Sequence, residues 1–409
     1  MKSDVIIIGS ELDAFIASIR LQELGYSSKI ISKGKGSHLY SLGSIKILGV
    51  DNNPNMISTL NPFDSIDNLS SKHPYKIIGK DKVTQSIDWF FNQDLFNKLY
   101  CFRQKNNVFT ISPIGNKIPS YGLYIKQINR ESLRNNDISI INFNNQKDFH
   151  SHLIAESLNN YSNSIEIINV EPPNTKQHLD NSSIANSFDK LNDIDDYFYK
   201  IKEKLNNRTS VAIFPAIVGI NNYLNIIKRA EKILNKKCFE APTLPPSIPG
   251  IRLNKLLEKE ILKFNDINNS AHITNANLEN NKCMYLTDNY GRKIYGKAFI
   301  FANGGILMGG LVVNSDGKII EKILNSKVNQ INPMTCNSNY KTLNALQMSG
   351  VIIDEDLKAK NENGIKFENV YFTGRNLSDW NPSLEFSSEG VSIASGWHSA
   401  NTVASYLSI

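Results

Sequence analysis

The chain has 409 residues, 41% apolar and 21% charged, enough to bury about three quarters of its unfolded surface, which excludes a disordered, collagen-like or small disulfide-scaffold chain. Its 45 Lys and Arg against 39 Asp and Glu leave a net charge of +6. The basic residues are scattered, and the densest run, Lys228 to Lys237, is broken by Glu231, Ile233 and Leu234, so it reads as a solvated helix face and not as a nucleic-acid footprint.

Met1 to Asp4 leads straight into Val5-Ile-Ile-Ile8 without the apolar stretch and cleavage site of a signal peptide, so a cytoplasmic chain is expected. No segment offers the ~18 consecutive apolar residues of a membrane span. Val5 to Ile8 is a continuous β-branched run, as expected of a parallel strand covered on both faces. After Gly9, the residues Leu12, Phe15, Ile16 and Ile19 repeat with helical spacing, Gly25 marks a stop, and Lys29-Ile30-Ile31 makes a second strand. Strand, helix and strand within about 30 residues form the βαβ unit that opens a dinucleotide-binding fold.

Further along, Arg252 to Phe264 reads as a helix, Ala271 to Leu278 as a strand, Met284 to Tyr295 as a hairpin, and Lys297 to Ala302 as a strand ending at Asn303-Gly-Gly305. Val370 to Thr373 is a last strand closed by Gly374, and Val391, Ala394 and Trp397 have helical spacing just after Gly390. This order predicts an α/β fold, a Rossmann-like FAD/NAD(P)-binding flavoprotein domain with a large inserted α/β domain. The cofactor domain is assigned to residues 1–60 plus 247–409. The insertion, 61–246, holds Ile87 to Phe91, a strand at Val108 to Ile111, a helix at Phe149 to Leu158 and a polar loop at Asn174 to Ser183.

In the G-x-G-x-x-G turn of such folds the second glycine lets backbone approach a pyrophosphate at the helix N-terminus. Here the turn is Gly9-Ser-Glu11-Leu-Asp-Ala14: Gly9 makes the bend and Ala14 allows close packing, but Glu11 sets a carboxylate where the phosphate would come. At ~4 Å two such charges repel by about 1 kcal/mol in water and about 4 at an effective dielectric of 20. The second strand ends in Ser32-Lys33-Gly34 where a ribose-binding acid is usual, which disfavours an adenine dinucleotide and favours a mononucleotide whose phosphate pairs with Lys33. The plain alternative is a βαβ unit with Lys33 solvated and Glu11 exposed. Ser41, Gly43 and Ser44 form a small polar loop where flavoproteins of this architecture surround the flavin.

Cys101, Cys238, Cys283 and Cys336 lie far apart, and the seven histidines show no H-x-x-x-H or H-E-x-x-H spacing, so no metal site is expected and the thiols read as buried. His150 and His152 read as surface residues. A G-x-S-x-G elbow and a P-loop are both missing.

Several segments resemble the B subunit of the anaerobic, quinone-linked glycerol-3-phosphate dehydrogenases of bacteria. The most specific is Pro242-Thr-Leu-Pro-Pro-Ser-Ile-Pro-Gly-Ile-Arg-Leu253. Phe214 to Gly219, Ala302 to Val312, Ile114 to Lys117, Asp148 to Leu153 and Gly350 to Asp354 match as well. The resemblance implies a cytoplasmic subunit that carries FMN, with FAD as the alternative. It also implies pairing with an FAD-containing A subunit and docking through an iron–sulfur C subunit, so that the chain is peripherally associated with the inner membrane. The complex oxidises sn-glycerol 3-phosphate to dihydroxyacetone phosphate and passes electrons through flavin and the iron–sulfur subunit to quinone.

On that basis the cofactor-binding candidates are Gly9, Ser10, Ala14, Ser32, Lys33, Ser41, Gly43, Ser44, Gly304, Gly374, Gly390 and Val391. Gly390 and Val391 would turn their N–H groups and the positive helix end toward the flavin's pyrimidine edge. No catalytic base is identified. The chain departs from the family pattern at Glu11 and Glu389, which add carboxylates at expected contact points. A second reading is therefore a subunit that keeps the fold for assembly and has lost its flavin, and a third is a stand-alone oxidoreductase.

Overall fold

The computed structural model describes residues 3–50, 60–173, 180–332, 334 and 341–409, with the side chains of 101–105 and 341 set aside. The chain divides into two compact units, residues 1–37, 46–96 and 256–409 in the first and 38–45 and 97–255 in the second.

The first unit is built on β1 (Val5–Ile8), α1 (Leu12–Glu23), β2 (Ser28–Ile31), α2 (Lys80–Asn92), β3 (Asp266–Asn268), β4 (Ala298–Phe301), β5 (Lys358–Lys360), β6 (Lys366–Phe372) and α3 (Ser388–Leu407). Its sheet has the order β5-β6-β4-β1-β2-β3, all parallel except the β5 edge. Val5 stands between Ser28 and Ala298 in register. The β-branched run of β1 is buried throughout, as a central parallel strand with both faces covered requires. Helix α1 packs along α3, and α2 packs on α3 as well, so residues 61–96, expected in the insertion, lie with the first unit.

The second unit carries a four-stranded parallel sheet in the order 164–170, 137–143, 211–215 and 237–241. Side chains alternate across it: Ile141, Phe143, Ala212 and Phe214 join one core with Ile184, Phe198 and Ile227, while Ile138, Ile140, Val211 and Ile213 join another with Ile154 and Leu158. The period of two is the mark of a sheet sandwiched between helical layers.

Local boundaries shift from the sequence reading. The helix expected at 252–264 starts earlier, at Ile248, and ends at Ile261. The strand Val108 to Ile111 is the end of Tyr100–Ile111. Of the polar loop at 174–183, residues 174–179 lie outside the described residues, and Asn181 already opens the helix Asn181–Lys190, with Asp180 capping the N–H groups of Ser182 and Ser183. Cys336 and the Cys101 side chain also lie outside the description. Cys238 and Cys283 are free and buried, and burial holds both thiols well above their usual range.

Candidate functional site: the first βα turn and the start of the last helix

Gly9 ends β1 at φ +110°, and a Cβ there would overlap the Ala302 carbonyl and come within 2.6 Å of the Asn303 Cα. The turn is thus packed against the end of β4, which only glycine permits. Ala14 is fully buried. The polar candidates nearby are committed inside the protein. The Ser10 hydroxyl donates to the Gly34 carbonyl at 2.6 Å, and the Ser32 hydroxyl lies 2.8 Å from that same carbonyl and 2.7 Å from Asn269 Oδ1. Lys33 is exposed.

Glu11, expected to be exposed if no nucleotide binds, is instead buried, with 6% of its surface accessible. It sits at the N-cap of α1 yet makes no side-chain bond to its own helix. Its carboxylate reaches the chain after β2, where Oε1 accepts the Ser37 N–H at 2.8 Å and Oε2 accepts the Ser37 hydroxyl at 2.7 Å. Gly304 closes over it, since a Cβ on Gly304 would stand 2.9 Å from Glu11 Oε1. Thus an anion already stands between α1, the Ser37 backbone and the loop after β4, and it belongs to the protein.

Two residues on, Asp13 is buried, and Thr373 Oγ1 donates to its Oδ2 at 2.5 Å. Its Oδ1 has no hydrogen-bond partner, and Gly374 packs directly on the carboxyl group while donating its N–H to Ser395 Oγ at 2.9 Å. Burial, reinforced by the neighbouring Glu11 charge and opposed by the Thr373 hydrogen bond, pushes Asp13 up to about 7. The sequence reading passes over Asp13, although a carboxyl on the buried face of an otherwise apolar helix stretch is a legible signal.

Gly390 and Val391 lie in the first turn of α3, but their N–H groups are not free. Gly390 donates to the Lys46 carbonyl at 2.8 Å and Val391 to the Ser387 carbonyl at 3.0 Å. A Cβ on Gly390 would overlap the Tyr75 hydroxyl and approach Ile47 Cα to 2.7 Å, and that hydroxyl donates to the Ile47 carbonyl at 2.7 Å. Glu389 is buried, with Lys46 Nζ at 3.5 Å and the Ser388 hydroxyl donating at 2.7 Å. Tyr75 escapes the sequence reading, and nothing local in the sequence marks it.

Ser41, Gly43 and Ser44 belong to the second unit. There Gly43 packs on Pro249, Ser41 Oγ accepts the Gly43 N–H at 3.2 Å, and Ser44 Oγ lies 3.1 Å from Ser120 Oγ. Four of the six segments behind the family resemblance, 114–117, 148–153, 214–219 and 242–253, lie in this unit. Arg252 grips the Gly219 carbonyl at 2.7 and 3.0 Å and Glu240 at 2.6 and 2.9 Å, above the Tyr223 ring. Leu244 N–H donates to the Asp148 carbonyl at 2.8 Å, and Asn181 Nδ2 donates to the Leu244 carbonyl at 2.8 Å. The proline-rich stretch is thus scaffolding, with Pro242 and Pro249 buried and Pro245 and Pro246 exposed. Among the described residues no group of His, Cys, Asp and Glu is arranged to hold a metal ion.

Residues 4–385 match the family model described as an FAD binding domain. The chain is 25% identical to the B subunit of the anaerobic glycerol-3-phosphate dehydrogenase of Aliivibrio fischeri, over 100% of this chain and 96% of that protein. It is 26% identical to the corresponding B subunit of Pasteurella multocida, over 98% and 99%. Among solved structures, 3-ketosteroid delta1-dehydrogenase from Sterolibacterium denitrificans aligns over 99% of both chains at 9% identity with a TM-score of 0.43.

A flavin is the cofactor this match supports, and the residues present do not fit one at two of the positions expected to contact it. A phosphate at the first βα turn meets the Glu11 carboxylate, which already uses both Ser37 donors. A ring at the start of α3 meets N–H groups already spent and space held by Tyr75 and Ile47.

Proposed function

Since the chain belongs to the FAD-binding-domain family, we propose that it serves as the B subunit of an anaerobic, quinone-linked glycerol-3-phosphate dehydrogenase complex. The observation that carries this reading is the likeness to B subunits along essentially the whole of both chains. An oxidoreductase role follows from the family. The finer assignment is oxidation of sn-glycerol 3-phosphate to dihydroxyacetone phosphate by the complex, with electrons passing through flavin and an iron–sulfur subunit to quinone. The partners are an FAD-containing A subunit and an iron–sulfur C subunit. Among the described residues no helix is long and apolar enough to cross a membrane, which suits docking at the inner membrane through the C subunit.

The closed contact points at Glu11 and Gly390 favour one particular form of this reading. The chain contributes its fold to the assembly, and substrate oxidation rests with the flavin of the A subunit. In the other form the chain carries its own FMN, or FAD, with Lys33 as the phosphate partner. Co-expression of the three subunits with an affinity tag on the A subunit tests the assignment. This chain is expected to co-purify, and quinone-linked glycerol 3-phosphate oxidation is expected to fall when it is omitted. Failure of both would overturn the proposed membership in the complex.

A further inference from the structure

We infer that Glu11 is a built-in occupant of the anion seat at the first βα turn, and that this chain folds with its flavin cradle closed by its own groups. A phosphate bound at this turn would lie at the N-terminus of α1, where the Glu11 carboxylate stands without bonding an N–H of its own helix. Here the Ser37 N–H and hydroxyl both end on one carboxylate at hydrogen-bonding distance, and Gly304 packs over that carboxylate. An incoming phosphate would have to displace an anion from its donors in a buried site, where an unpaired charge is costly.

The second contact point is closed by unrelated residues. The Gly390 N–H is taken by the Lys46 carbonyl, and the Tyr75 hydroxyl stands against the Gly390 Cα while bonded to the Ile47 carbonyl. Tyr75 is fully buried, so its hydroxyl has no solvent to retreat into. Two sites about 380 residues apart in sequence are thus both filled by the protein's own groups, as in a fold stabilised without its ligand. This goes beyond membership in the complex, which co-purification reads independently of flavin content.

The test uses the full-length chain. Its melting temperature is followed against added FMN, added FAD and inorganic phosphate at matched ionic strength, for the natural sequence and for Glu11→Gly. A ligand that binds only the folded state raises the melting temperature with its concentration. The natural chain is expected to show no rise with FMN or FAD. Glu11→Gly is expected to melt lower and to recover with phosphate, which refills the vacated seat, whereas the natural chain lacks that response. A saturable rise with FMN or FAD on the natural chain would overturn the inference while leaving membership in the complex standing. So would a phosphate response identical in the two proteins. The flavin titrations need no variant, so they decide the matter even if Glu11→Gly fails to fold.

Discussion

The carboxylate of Glu11 takes both hydrogen-bond donors of Ser37, the backbone N–H at 2.8 Å and the hydroxyl at 2.7 Å. That pairing ties the first βα turn to the chain that follows the second strand. Hydrogen bonds to a charged group contribute about 1.5–3 kcal/mol each. Ser37→Ala, which leaves the N–H bond in place, is expected to destabilise by the low end of that range. Glu11→Ala should cost more, because it strands the N–H as well. Urea unfolding of both singles and the double variant checks this, and additive losses would contradict the pairing.

Asp13 gives the fold a pH dependence of definite sign. Its folded-state value of about 7 lies above the ordinary 3.8, so between these values the folded state binds more protons than the unfolded chain. Its contribution to stability is therefore full below about pH 4, declines as the pH rises toward 7, and is lost above it. Asp13→Asn removes the titration. The difference in melting temperature between the natural chain and this variant is expected to change in the variant's favour from pH 5 to pH 8. A difference independent of pH would show that Asp13 does not titrate in this window.

The approach of Tyr75 to Gly390 predicts an overpacking effect. Gly390→Ala is expected to cost about 1–3 kcal/mol, since the new methyl group meets the Tyr75 hydroxyl and Ile47. Tyr75→Phe in the same chain should recover part of the loss, and Ile47 Cα at 2.7 Å keeps the recovery incomplete. Thermal denaturation of the four proteins reads the coupling directly.

In the second unit, Arg252 and Glu240 form a bidentate pair whose side chains are 2% and 0% exposed. Removing one partner of such a pair leaves a buried charge uncompensated, at a cost of about 3–5 kcal/mol. Arg252→Leu is expected to lose stability on that scale, and adding Glu240→Leu should restore much of it. If the double variant is no more stable than the single one in denaturant melts, the loss lies in the Gly219 carbonyl contacts instead.

The βαβ opening was legible because its signals are local: four β-branched residues in a row, a helical repeat and a glycine at each bend. Glu11 was legible as the wrong residue for a phosphate turn. Its destination was not, because Ser37 lies 26 residues on in an irregular stretch with no periodicity to place it. Asp13 was legible as a carboxyl among apolar helix residues, but its partner Thr373, 360 residues on, was not. The close approach at Gly390 depends on Tyr75, more than 300 residues away, and a glycine in sequence does not name what it faces. Residues 61–96 read as part of the insertion because they follow the first βαβ unit without matching it. Their packing on α3 is a long-range fact that no local pattern carries. The proline-rich stretch, so telling for family resemblance, proved to be scaffold around Arg252.

The most direct measurement is the visible absorbance spectrum of the purified full-length chain, with mass spectrometry of whatever small molecule heat releases. The closed seats at Glu11 and Gly390 predict a colourless protein that releases no flavin. FMN or FAD released in stoichiometric amount would contradict the closure and return the chain to the ranks of flavin carriers.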